Sequence, residues 1–213
     1  GCFIDCARKE EPVYNIKEEP VYSIFVSGKE GWQATGDAKT EQPSFRHRGG
    51  NPGGYISIDD AVTNGVWYWL APQKYLGGKS HFFGRYLRFD LKQTDTSSQF
   101  ATGDVWLLGA GGTKLVYFDQ DNYGDSYPRD SWTSYLIKLD RAANWKIEPQ
   151  SGFSVYTEPF LAQWSRARLA DDTDIERVLG SLDGLYIRGE FRTGADTGRL
   201  DTVFFGCTLE TCP

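Results

Sequence analysis

His47 and His81 are the only imidazoles in this 213-residue chain, and neither lies near a serine or cysteine in a nucleophile motif such as G-x-S-x-G. The four cysteines sit at the ends, Cys2 and Cys6, then Cys207 and Cys212. Neither pair has the C-x-x-C spacing of a zinc knuckle or a redox dithiol, and only two histidines are present to help. An even number of cysteines confined to the termini reads as disulfides formed in an oxidising compartment, which removes the thiols as nucleophiles. The sequence does not choose among the pairings. "GAGGT", residues 109–113, is not the G-x-G-x-x-G of a nucleotide site and lies between two strand patterns. "DQDNYGDSYPRD" places Asp119, Asp121, Gly124 and Asp130 at positions 1, 3, 6 and 12 of an EF-hand loop. Tyr123 and Asp130 are wrong for positions 5 and 12, and strand patterns flank the segment, so a solvated hairpin tip is expected. A glycosidase would need two placed carboxylates, but nothing singles out a pair among the 29 acidic residues. The expectation is a protein without a reactive centre.

Binding chemistry is carried by rings. Trp67, Tyr68 and Trp69 fall in one strand pattern, so Trp67 and Trp69 share a face and Tyr68 takes the other. An exposed Trp67–Trp69 platform would stack on a sugar ring; buried, the same residues are core mass. Trp106, Trp132, Trp145 and Trp164 are spread through the chain. The net charge of −6, with Lys and Arg scattered, argues against a nucleic-acid partner. No apolar run approaches the roughly 18 residues of a membrane helix. No signal-peptide pattern opens the chain, and any leader is expected to have been removed. The five asparagines start no N-x-Ser/Thr sequon, and the nearest string to Arg-Gly-Asp is Arg188-Gly189-Glu190, inside a strand pattern.

The elements that must position these residues are mainly strands. Residues 10–25 hold a tandem echo, "EEPVYNIK" then "EEPVYSIF", read as an extended connector; residues 1–22 are assigned to it, with the first cysteine pair. From Ser23 onward strand patterns recur: "YSIFVS", "GYISI", "VWYWLAP", "HFFGRYLRFDLKQ", "SYLIKL", "FSVY", "LYIRGEF" and "LDTVFFG". "DVWLLGAGGTKLVYF" reads as a hairpin across its glycine turn. The stretch "GGNPGGYISIDD", residues 49–60, joins a loop rich in glycine to a strand, with Gly49, Gly50, Gly53 and Gly54 free to take positive φ. In "DDTDIERVLGSLDGL", Ile175, Val178, Leu179 and Leu182 follow helical spacing. Thr173 and Glu176 form a candidate capping box there, and Gly184 a stop. These patterns make one all-β body over residues 23–213, two packed antiparallel sheets with one short helix.

"GNPGGYISIDD", "VWYWLAPQKYLG", "FGRYLRFDL", "DVWLLGAGGTKL", "YLIKLDRAANW", "DIERVLGSLDGLYIRGEF" and "LDTVFF" occur in an order that resembles the laminin IV type A module, also called the laminin B domain. The resemblance runs from about Trp32 to Pro213, and the tail "LETCP" looks like the passage into a cysteine-rich laminin repeat. It implies a jelly-roll β-sandwich related to carbohydrate-binding modules, secreted or at the cell surface, with an extracellular protein or glycan as partner and no catalytic activity. It also implies a structural calcium where the first and last strands approach, with Asp60 and Asp201 as candidate ligands. Removal of that ion would lower the melting temperature. The glycine loop would then be the corner through which the chain enters an inner strand.

Overall fold

The structure is a computed structural model that describes residues 19–36, 38, 40–60, 65–119, 127–147 and 167–213. Twelve strands and one α-helix are present among them. The strands are β1 (Val21–Ser23), β2 (Gln33–Gly36), β3 (Ser44–Gly50), β4 (Gly53–Asp59), β5 (Trp67–Leu70) and β6 (Tyr86–Lys92). Next come β7 (Val105–Gly109), β8 (Lys114–Tyr117), β9 (Thr133–Lys138), β10 (Lys146–Ile147), β11 (Leu182–Arg188) and β12 (Thr197–Cys207). The helix, α1, spans Asp172–Gly180.

The strands form two antiparallel sheets. In the first the order is β3-β4-β12-β6-β9, with β1 paired to the far part of β12; in the second it is β10-β8-β7-β11-β5-β2. The expected sandwich is therefore present. β7 and β8 form the hairpin expected across the glycine turn, with Leu107 opposite Leu115. The "FSVY" pattern lies outside the described residues.

Alternation assembles the core. Leu87, Phe89 and Leu91 of β6, Ile56 and Ile58 of β4, and Leu200, Val203 and Phe205 of β12 all enter one buried cluster. The second sheet meets it with Trp67, Trp69, Leu107, Leu185 and Ile187. Tyr68 points to the other side, into a smaller buried cluster with Val66, Trp106 and Val116. The face assignment of the Trp-Tyr-Trp run is correct, but both faces are covered.

The helix ends differ from expectation. Helix α1 is capped by Asp171 and Asp174, which exchange side-chain and backbone hydrogen bonds, rather than by Thr173 and Glu176. An aspartate at each position makes the same reciprocal pair two residues earlier and also suits the helix dipole. Gly180 ends the helix, and Gly184 belongs to β11. At the start of the chain, β1 spans the boundary expected between residues 22 and 23. Cys207 and Cys212 form a disulfide; Cys2 and Cys6 lie outside the described residues.

Candidate functional site

The outward face of the first sheet carries the polar chemistry, and strand register shows how. Arg46 lies opposite Tyr55, Leu200 opposite Ile56, and Asp201 opposite Asp90, which faces Ser134. One row across the sheet thus reads Arg46, Tyr55, Asp201, Asp90, Ser134. The neighbouring row reads Ser44, Ser57, Arg199, Lys92.

In the middle of this face Asp90 and Asp201 are fully buried, because the β3–β4 loop folds over them. Asn51 joins the pair: its backbone N–H donates to Asp201 Oδ2 and its side-chain amide donates to Asp90 Oδ2 at 3.0 Å. Asp201 Oδ1 accepts the Thr202 N–H at 2.7 Å. Asp90 accepts from the Ser134 hydroxyl at 2.6 Å and pairs with the Arg88 guanidinium at 2.9 Å. Thr202 closes the ring by donating its hydroxyl to the Asn51 carbonyl. The glycines make this closure sterically feasible. A Cβ on Gly50 would stand 2.6 Å from Asp201 Oδ2, and Gly49 and Gly53 hold φ of +92° and +88°. The loop is thus a cover as well as a corner.

Two carboxylates are buried opposite one another here and only Asp90 is paired with a guanidinium, so a proton on Asp201 is favoured. Burial pushes the Asp201 carboxyl up to about 6, with Asp90 adding to the rise and the N–H bonds from Asn51 and Thr202 opposing it. An acid whose pKa is higher folded than unfolded binds its proton more tightly in the folded state. Its contribution therefore favours folding below its ordinary 3.8 and is lost as pH rises towards 6. The stability of the wild type minus that of Asp201→Asn, followed by urea unfolding, is expected to fall between about pH 4 and pH 6. A difference that stays flat across that window would refute the assignment.

Asp60 does not join this site. Its N–H donates to the Asp196 carbonyl at 2.8 Å, and Asp201 is five residues further along β12, roughly 16 Å at about 3.3 Å per residue. Asp60 and Asp201 therefore cannot share an ion. Around Asp201 the carboxylate oxygens receive N–H donors, and Asp90 already has a cation in Arg88. A calcium ion needs six to eight oxygens, and among the described residues no three metal-ligating side chains cluster. Asp60 and Asp201 thus stand as two separate carboxylates, and the N–H donors around Asp201 do not suit a cation there.

Trp67 and Trp69, the candidate sugar platform, are 1% and 0% exposed and meet edge to face at 4.9 Å inside the sandwich. They are core, because β5 sits between β11 and β2 with its inward face against the first sheet. The aromatic pair that reaches the surface is a different one. Trp132 and Tyr55, both partly exposed, meet edge to face at 5.5 Å, and the Trp132 indole N–H donates to the Gly49 carbonyl at 2.8 Å. Sequence reading misses this pair because its members are 77 positions apart and neither stands in an aromatic run. Tyr55 is legible as the outward residue of the alternating "YISI"; Trp132 has no local signal. Of the EF-hand-like positions, Asp119 and Asp130 are described and Asp121 and Gly124 are not. Asp130 pairs with Lys92 and Arg199, and the Asp119 N–H donates to Asp104.

Known proteins share this architecture. The chain is 25% identical over 198 residues to laminin subunit gamma-1 of Homo sapiens, covering 90% of this chain and 10% of that one. It is 23% identical over 176 residues to laminin subunit gamma-1 of Xenopus tropicalis, covering 79% and 9%. It thus spans about a tenth of the length of these relatives. The solved L4b domain of human laminin alpha-2 superposes with a TM-score of 0.60 at 11% identity, covering 88% of this chain and 97% of that one. An exo-beta-agarase superposes with a TM-score of 0.54 at 13% identity, covering 88% and 24%. These structural likenesses concern the fold. The family profile described as Laminin B (Domain IV) matches residues 68–209, about two thirds of the chain. On that match, and on a sandwich whose strands fall where the motifs lie, this chain belongs to the laminin B (domain IV) family.

Proposed function

We propose that this chain is a non-enzymatic, extracellular structural module of a larger matrix or cell-surface protein, built to present its sheet faces to partners. The carrying observation is that the first and last strands among the described residues are antiparallel neighbours, with Val21 opposite Phe205 and Ser23 opposite Val203. The polypeptide enters the sandwich beside the point where it leaves. Such a body stands to one side of the line of the chain instead of lengthening it, which favours display over spacing. The ionisable groups that resemble a site are also spent on the fold: Asp90 on Arg88, Asp201 on Asn51 and Thr202, and Asp104 on Arg188. Calcium is not part of this reading.

Grafting residues 19–213 into a surface loop of a stable host protein tests the geometry. Both bodies are expected to fold, each with its own cooperative transition, and the host's melting temperature is expected to stay within a few degrees. Loss of the host fold would show that the two ends do not meet. Turnover of any polysaccharide in a panel assay of the folded module would overturn the non-enzymatic half.

A further inference from the structure

The exposed edge strand β3 carries "SFRHRGG". Arg46, His47 and Arg48 are all exposed on it, in a chain whose net charge is −6. Among the described residues every other arginine has a partner. Arg88 is held by Asp90, Arg168 and Arg177 by Asp174, Arg188 by Asp104, and Arg199 by Asp130. Arg141 and Arg192 pair with Asp172 and Asp95, Arg85 donates to the Gly206 carbonyl, and Arg129 is engaged as well. Among the described residues Arg46 and Arg48 are thus the arginines whose guanidinium has no recorded partner, although the chain holds 29 acidic residues.

Their surroundings narrow the chemistry. Arg46 stands opposite Tyr55, and Tyr55 packs against Trp132, so two partly exposed rings share the sheet face with Arg46. Trp132 is fixed by its bond to the Gly49 carbonyl, which limits the ordering cost of a contact. On the next row Arg199 and Lys92 share Asp130, at 3.4 and 3.6 Å, leaving more positive than negative charge along the face. Planar guanidinium forks suit the oxygens of sulfate and carboxylate groups, and ring faces and edges suit the apolar faces of sugars.

We propose that this face, from Arg46 across Tyr55 and Trp132 with Arg48 exposed on the adjoining edge strand, binds a sulfated polysaccharide. A peptide added as a new strand fits less well. The register of β3 against β4 is broken between Arg46 and Gly50, so the edge does not offer a regular ladder there. Two free arginines and an acidic chain do not make a nucleic-acid surface. The proposal goes beyond the structural role and does not depend on it.

Titration calorimetry with a heparin-derived octasaccharide at low salt tests it. The wild type is expected to bind, with affinity falling steeply as salt rises. Arg46→Ala with Arg48→Ala is expected to weaken binding about tenfold or more, since charged hydrogen bonds are lost. Both residues are exposed and unpaired, so the melting temperature is expected to hold. Trp132→Phe keeps the ring and loses the Gly49 tether, and an intermediate loss is expected. No binding by the wild type, equal binding by the double arginine variant, or equal binding of the desulfated octasaccharide would each overturn the proposal. Equal binding of poly-glutamate would also overturn it, by showing that charge alone is read.

Discussion

Trp67→Ala is expected to cost about 3–5 kcal/mol of stability, the range for emptying a large buried aromatic site. Total stabilities of domains are roughly 5–15 kcal/mol, so the variant would be close to unfolding at moderate temperature. The loss has a specific geometric origin. The Trp67 indole is 1% exposed and rests on the backbones of two glycines from different strands or their flanks. A Cβ on Gly189 would lie 2.0 Å from the indole, and one on Gly198 would lie 2.6 Å from it. No other residue type leaves room for that ring, and no smaller side chain fills the slot once the ring is gone. Urea unfolding would show a lower midpoint with an unchanged slope. Gly189→Ala would be destabilising alone through overpacking, and much less so in the Trp67→Ala background, where the methyl has space. If the two losses simply add, the packing assignment is wrong.

Arg188→Met is expected to be comparably damaging, by about 3–5 kcal/mol, because it strands a buried carboxylate. Arg188 is 1% exposed. It pairs with Asp104 at 3.2 Å, donates from Nε to the Glu190 carbonyl at 2.6 Å, and donates to the Phe100 carbonyl. Its guanidinium also lies 4.2 Å from the Phe191 ring centre and 4.9 Å from that of Phe100. This ion pair serves the fold: it holds the end of β11 to the turn before β7. The double variant Arg188→Met with Asp104→Asn is expected to recover part of the loss. An asparagine side chain there carries no charge, and its amide oxygen can still accept the Asp119 N–H. Chemical denaturation of the wild type, Arg188→Met, Asp104→Asn and the double variant gives the cycle directly. A double variant worse than Arg188→Met would count against charge stranding as the cause.

The same residue shows why the Arg188-Gly189-Glu190 string is not a recognition loop. All three residues are buried, and Gly189 is small because Trp67 needs the space.

Sequence alone determined the class of this protein and most of its strands, because those depend on local alternation. Leu87, Phe89 and Leu91 face one side of a strand wherever that strand ends up, and a glycine turn between two such runs makes a hairpin. The helix at 172–180 is legible for the same reason, although its capping pair lies two residues before the expected one because aspartate and threonine compete for the role. What only the tertiary structure decided is which polar and aromatic groups meet. Trp67 and Trp69 became core because the first sheet covers them, and alternation carries no information about what lies opposite a face. Asp60 and Asp201 parted, while Asp90 and Asp201 met, because register between β12 and its neighbours sets pairing across more than a hundred residues. Tyr55 and Trp132 came together, with Arg46 beside them, through the same long-range pairing. Contacts of that kind arise from how strands are laid side by side, a property of the folded whole that no short window of residues contains.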